Sequence, residues 1–380
     1  SNYVTSNFGA TIAGGISNCV LGSYAGILSG TNNRAEGISS IIVGGIANKT
    51  CSQYFGGGFS QFIGGGLCNC AKFNYSIVVG GNCNSSSGCN SSIVNGFCNI
   101  ASGNYSSALG GRCNTASGQY SQVVNGKGNT ASAYTSSIVG GYFNTISAYS
   151  NHASIVGGFF NTICGSNSES NFIGGGQTNT ISGYFEGTHS AIVGGCANTI
   201  SGYYSSFSFI GGGFQNTSCG CNNVIVGGRN NTSSGYYSFI GGGNQNTASG
   251  GFYSVVVGGI VNTASGNYSA ILGGSSNVAS GSYSGAFGCL LTASCPCTFY
   301  SNNFCACGNI SLSGISVGCA VCVGSGGTLV GYAVGGGGII VLDSGAGSTV
   351  RCGNSNCASG VCSGVLSGAN NTSSSLASSI

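Results

Sequence analysis

The sequence predicts an all-β fold, a parallel β-solenoid whose coils repeat with a period of about fifteen. Three observations predict it. First, a two-residue step, usually Gly-Gly, follows an apolar pair eighteen times between residues 14 and 288, and eleven of the seventeen spacings are fifteen. Second, Asn stands four residues after the first residue of that step in seventeen of the eighteen coils. Third, 3% of the residues are charged and 41% apolar, so Ser, Thr, Asn and Gly must form the polar surface. A short fixed period over so many copies marks a solenoid, in which each repeat buries its apolar face on its neighbours. The 75 glycines keep no Gly-X-Y period, which excludes a collagen helix. The regular Ile/Val columns argue against a disordered Gly/Ser-rich chain.

The strand before the step comes first. A typical coil reads Ser137-Ile138-Val139-Gly140-Gly141-Tyr142-Phe143-Asn144-Thr145-Ile146-Ser147. Two residues before the step every coil is apolar, from Ile12 and Ile27 to Ile271 and Ala286. One residue before it stands an apolar residue or Gly, as at Ala13, Leu28, Val43 and Val139. Adjacent strand residues face opposite ways, so this strand is apolar on both faces and is expected to be covered on both. A thin coil has one interior, so the second face calls for another surface, most simply other copies of the chain. In four coils the residue before the step is Gly64, Gly174, Gly211 or Gly241, and there alone the residue two earlier is Phe: Phe62, Phe172, Phe209 and Phe239. The ring is expected to fill the space the missing side chain leaves.

The Asn column follows. Asn84, Asn99, Asn114, Asn129 and Asn144 keep the period without a break. A stacked ladder, each side-chain amide donating to the Asn one rung below, explains retention at one register better than turn preference alone. Thr follows Asn in ten consecutive coils, Thr115 through Thr263.

Residues 1–288 thus form the coiled region. Residues 289–350 break the register and read as a Cys-rich β connector module. From 351 to 380 the period returns, with Cys352-Gly353 at the step, Asn356 at the ladder and Asn371-Thr372 in place. The chain starts without Met and stops in mid-coil at Ile380, so it is expected to be a segment of a longer protein.

The repeat Ser-x-Ile/Val-Val-Gly-Gly-x-x-Asn-Thr-Ala-Ser-Gly-x-Tyr-Ser, over residues 11–288, resembles the head repeat of trimeric autotransporter adhesins. Similar repeats occur in phage and large-virus tail or surface fibres. The resemblance implies a left-handed β-roll, a homotrimer of chains side by side, and a role in adhesion. It also implies an extracellular place, on a cell or virion surface. The stalk heptads of the bacterial members do not occur in this sequence, and its 22 cysteines exceed what those heads carry.

Chemistry has few residues to work with. The acids Glu36, Glu169, Glu186 and Asp343 are scattered, and His152 and His189 are the two histidines. No Ser-His-Asp set or paired carboxylates can be assembled, so the expectation is no enzyme and no cofactor. A net charge of +3 builds no basic stripe for nucleic acid. No run is long enough for a membrane helix. Cys68, Cys83, Cys98 and Cys113 share one register, so they are either a possible disulfide column across rungs or chains, or a column of small buried apolar residues. Of the pairs 295/297, 305/307 and 319/322, only Cys319/Cys322 has zinc-knuckle spacing, and no metal site is expected.

Four consecutive coils exceed the usual period, since the step begins in turn at Gly140, Gly157, Gly175, Gly194 and Gly212. Their extra residues fall before the next strand and should stack along one edge. They carry His152, Glu169, Tyr184, Phe185, Glu186, His189, Tyr203, Tyr204 and Phe207, a candidate ligand-binding patch for a glycan or protein. The plain alternative is loop expansion without a ligand. The function expected is an extracellular fibre or adhesin shaft that attaches to a surface receptor or glycan. A structural filament or virion fibre without a receptor is the alternative, and ice binding by the Thr column a distant third.

Overall fold

A computed structural model describes residues 1–5, 8–51, 58–183, 188–202 and 205–302, and five short strands between 340 and 373. The chain divides into two compact units, Ser1–Phe304 and Cys305–Ile380. The first is a parallel β-solenoid of about nineteen coils, with no helix among the described residues. Each coil gives one short strand to each of two long sheets. In one coil these are Ser137–Ile138, in what we term the step sheet, and Thr145–Ile146, in the ladder sheet. Single-residue bridges form a third row, running from Asn82 to Phe97, Arg112 and Lys127.

The register expected from the repeat is the register observed. Ile138 pairs in parallel with Ile155, and Thr145 with Thr162, although that coil is longer than its neighbours. Inward residues of both sheets pack together in two successive core clusters, Val20 to Ala108 and Ala116 to Ala293, the second including Ile138, Ile155 and Ile173 from the step sheet and Ala131, Ile146 and Ile163 from the ladder sheet. Outward, the Phe rings lie over the glycines as expected. A Cβ on Gly174 would stand 3.3 Å from Phe172 Cε1 and one on Gly64 3.5 Å from Phe62 Cε1. The next coil adds a backbone reason for Gly, since the same Cβ on Gly174 would meet the Val193 carbonyl oxygen at 2.4 Å.

A coil this short needs sharp corners. The second residue of the step makes one of them, with φ between 83° and 105° from Gly15 to Gly274. Only Gly holds such angles without strain. Space forbids a side chain as well: a Cβ on Gly81 would lie 2.3 Å from Gly96 O and 2.4 Å from Asn84 Nδ2. The first residue of the step is different. Nothing lies within 4 Å of a Cβ on Gly80, Gly140 or Gly157, and Ser29, Asn95 and Asn125 stand in that column. The Gly-Gly pair is therefore one obligatory glycine and one replaceable one.

The Asn ladder exists, but its wiring differs from the amide-to-amide stack expected. Asn114, fully buried, donates through Nδ2 to Gly110 O at 2.9 Å and to Gly126 O, in the next coil, at 3.0 Å. Its Oδ1 accepts the backbone N–H of Asn129 at 3.0 Å. Direct amide-to-amide bonds accompany this pattern at Asn144, Asn216 and Asn277. The side chain ties two coils together by binding the corner carbonyl of its own coil and sharing that of the next, since Gly126 O also accepts the Arg112 N–H at 2.8 Å.

Near residue 288 the coil shortens by one. Gly274 pairs with Gly288, and the Leu291 N–H takes the place of the next Asn by donating to Asn277 Oδ1 at 3.1 Å. Parallel pairing then continues to the strand Phe299–Ser301. In the second unit, Thr349 pairs with Gly364 and Cys357 with Thr372, both in parallel and both one full period apart, as a returning repeat requires. Asn356, Asn371 and residues 303–339 lie outside the described residues.

Two substitution pairs test this architecture by chemical denaturation. Gly81→Ala is expected to cost about 3 kcal/mol or more through positive φ and backbone overlap, while Gly80→Ala leaves stability level or raises it by about 0.5 kcal/mol. Asn114→Leu should cost about 3 kcal/mol, because the Gly110 carbonyl and the Asn129 N–H lose their partner while Gly126 O keeps only the Arg112 N–H, whereas Ser117→Ala on the outer face should cost less than about 0.5 kcal/mol.

Candidate functional site

The long coils keep their pairing by lengthening the ladder-sheet strands. Thr180–Gly183 pairs residue for residue with Thr199–Gly202. Of the candidate patch, Tyr184, Phe185, Glu186, Tyr203 and Tyr204 lie outside the described residues. His152, Glu169, His189 and Phe207 are described and exposed.

These four do not form a pocket apart from the repeat. His152, His189 and Phe207 occupy a corner column that runs through the solenoid, at φ of 56°, 58° and 55°. Tyr24, Tyr75, Tyr105, Tyr120, Tyr237, Tyr253, Tyr268 and Tyr283 occupy the same column at φ of 53° to 58°. Each corner residue donates its backbone N–H to a carbonyl one coil earlier, Tyr120 to Asn104 O and His189 to Glu169 O, both at 2.9 Å. That bond recurs from coil to coil and offsets the roughly 1 kcal/mol a non-glycine residue loses in the left-handed region. The frequent Gly-x-Tyr-Ser of the sequence is thus a corner whose side chain is thrown outward.

The rings stack because the corners repeat. Tyr105 and Tyr120 are 4.9 Å apart and nearly coplanar in orientation, as are Tyr237 and Tyr253. Tyr268 and Tyr283 stand at 4.7 Å and 2°. His189 stacks on Phe207 at 5.1 Å and 6°. Tyr134 meets His152 edge-on, and His152 Nδ1 lies 2.8 Å from Thr135 Oγ1. One edge of the unit therefore carries short stacks of exposed aromatic and imidazole rings, separated where Ser39, Ser60, Asn90, Thr135, Ser170 and Asn222 take the same corner.

The cysteine column also proves to be a corner. Cys68, Cys83, Cys98 and Cys113 have φ of 54° to 56°. Three of them are exposed and Cys98 half-buried, which corrects the alternative of small buried apolar residues. The larger Phe143 and Phe160 fit the same register because they too point outward, stacked at 5.2 Å. Cys295 and Cys297 are exposed, while Cys305, Cys307, Cys319 and Cys322 lie outside the described residues. Among the described residues no three His, Cys, Asp or Glu side chains gather to hold a metal ion.

The two outer sheet faces differ. The ladder sheet shows two hydroxyl columns, Thr115 and Ser117 followed by Thr130 and Ser132, with Ser117 Oγ donating to Ser132 Oγ at 2.9 Å. The step sheet shows an apolar stripe. Val79, Val94, Val139, Val156, Val193 and Val226 are 44% to 50% exposed, and the stripe runs on to Leu272. No described helix is long and apolar enough to cross a membrane.

Sequence reasoning overlooked one contact. Cys51 Sγ and Cys70 Sγ lie 3.8 Å apart on the ladder sheet, beside Lys49 and Lys72. The two residues sit in different columns of adjacent coils, so a search for equal spacing passes over them. No family model and no curated protein matches this sequence.

Proposed function

We propose that this chain is part of an extracellular fibre, a shaft of left-handed β-roll in which three copies run side by side and which attaches to a receptor or glycan on a surface. The observation that carries the reading is the apolar stripe along the step sheet. Burying a half-exposed Val or Leu is worth roughly 1 kcal/mol, so the stripe strongly favours a partner face. Monomeric proteins rarely leave so long an apolar patch open. A second copy matches the repeat rung for rung, which a partner of other periodicity does not. The number three, the handedness and the extracellular place rest on the resemblance of the repeat to adhesin heads and virus fibres.

The attachment half of the reading rests on the ring column. Phenol and imidazole edges with hydroxyls in a straight row suit contact with sugars or protein loops. A structural filament without a receptor is the second reading, and one observation favours it: the rings spend their faces on one another, as Tyr253 does between Tyr237 and Tyr268.

Sedimentation of the purified chain tests the fibre. The expected mass is three times that of one chain, and Val139→Asp with Val156→Asp should give monomers that keep their β-sheet circular dichroism. A monomeric wild-type chain would overturn the assembly. For attachment, Tyr253→Asn with Phe207→Asn, in side chains that accept these φ values, should lower binding to a glycan array or to cells at least tenfold without loss of assembly. Unchanged binding would leave the filament reading.

A further inference from the structure

The chain holds seven basic and four acidic residues in all, yet Arg34, Lys49, Lys72 and Glu36 sit together on three successive coils of the ladder sheet. Glu36 bonds Arg34 Nε and lies 3.4 Å from Lys49 Nζ. Cys51 and Cys70 stand among these charges. Lys49 pairs with Cys70 across the rungs, and Cys51 follows Lys49 by two on the same outer face. Both thiols are half-buried, and their sulfurs are 3.8 Å apart. The backbone beneath them is braced. The buried Gln61 side chain donates through Nε2 to Cys51 O at 2.7 Å and to Lys72 O at 3.0 Å, joining both rungs from inside.

We propose that Cys51 and Cys70 are a redox-active thiol pair that exchanges with a low-molecular-weight disulfide and closes a disulfide between two coils. Cys51 is the nucleophile. The hydrogen bond from Cys70 draws its thiol down to about 7, with Lys49 and Lys72 adding to the effect against burial and Glu36. Cys70 moves the other way, because it donates to Cys51 and is desolvated, so it keeps its proton and serves as the resolving group. The Cys51 thiolate attacks one sulfur of glutathione disulfide. That S–S bond breaks, and one glutathione leaves with the electron pair as its thiolate. Cys70 then loses its proton to the leaving thiolate or to water, and its sulfur attacks Cys51 Sγ. The second glutathione departs. Two protein thiols are oxidised and one glutathione disulfide is reduced to two thiols. Because Lys49 stands opposite Cys70, Cys51 is offset by two residues and the Cα atoms are about 8 Å apart. Closing the sulfurs from 3.8 Å to a bond of about 2.05 Å therefore requires Cys51, one residue past its strand Lys49–Thr50, to shift its backbone against the bonds from its N–H to Ala71 O and from Gln61 to its carbonyl.

The pair lies on the sheet opposite the apolar stripe, so self-association through the stripe leaves it open to solvent. The proposal therefore stands or falls apart from the fibre reading.

The test uses the whole chain with Cys68, Cys83, Cys98 and Cys113 changed to Ser, treated with glutathione disulfide and mapped by mass spectrometry. A peptide pair joined through Cys51 and Cys70 is expected, and Cys70→Ser should stop the reaction at glutathione on Cys51. Alkylation of Cys51 should have its half-maximal rate near pH 7. At neutral pH its thiolate fraction exceeds that of an ordinary thiol by roughly 15-fold, and lower nucleophilicity returns roughly 5-fold, leaving a rate about 3-fold higher. Cys70→Ala should move the half-maximal pH upward. No bridged peptide, or a Cys51 midpoint at the ordinary thiol value of about 8.5, would overturn the proposal.

Discussion

The structure depends on a buried Asn that binds backbone in two coils at once. So short a coil must turn sharply, and the corner carbonyls of successive turns come within reach of one side chain. The Asn amide reaches two such carbonyls, at Gly110 and Gly126 for Asn114, while its oxygen takes the N–H of Asn129. Those bonds leave no room for a side chain at the second glycine of the step, so the ladder and the glycine column require each other. The Ile and Val core fills what remains, one side chain thick.

Much of this was legible in the sequence because a solenoid writes its contacts at a constant spacing. The register of Ile138 on Ile155, the double-faced strand and the Phe-over-Gly exchange all follow from columns of like residues. Two things were less legible. The wiring of the ladder was not, since Asn in a column fits amide-to-amide stacking as well as side chain-to-backbone bonding, and only the position of the corner carbonyls decides. The corners at Tyr120 and Cys83 were not either, because a non-glycine residue at positive φ, 58° and 56° in these two, has no composition signal of its own. The candidate patch is a mixed case. Sequence marked His189 and Phe207 as inserted residues, but their stacking comes from a corner column that runs through the ordinary coils too. The Cys51–Cys70 contact runs diagonally between columns, where periodicity carries no information.

The outer faces divide the work of the surface. In a chain with so few charges the polar surface is made of hydroxyls and amides, and the Thr and Ser columns of the ladder sheet provide them. The step sheet does the reverse and offers Val and Leu at half exposure. Such opposed faces would give the proposed side-by-side assembly a defined inside and outside. The cations stand where that arrangement lets them act: Lys49 and Lys72 beside a thiol on the polar face, and Arg112 over the Phe97 ring, 5.4 Å from its centroid, on the bridge row.

The ladder also has a direction. Asn18 completes its bonds only when the later coil brings Gly30 O and the Asn33 N–H. Every coil is thus finished by the one that follows it, and the newest coil always holds an Asn oxygen ready for the next amide. Ribosomes deliver one coil's worth of chain in roughly one to three seconds, amino end first. The growing tip of the solenoid therefore faces the direction from which new chain arrives, and each coil can dock as it emerges without waiting for the whole protein.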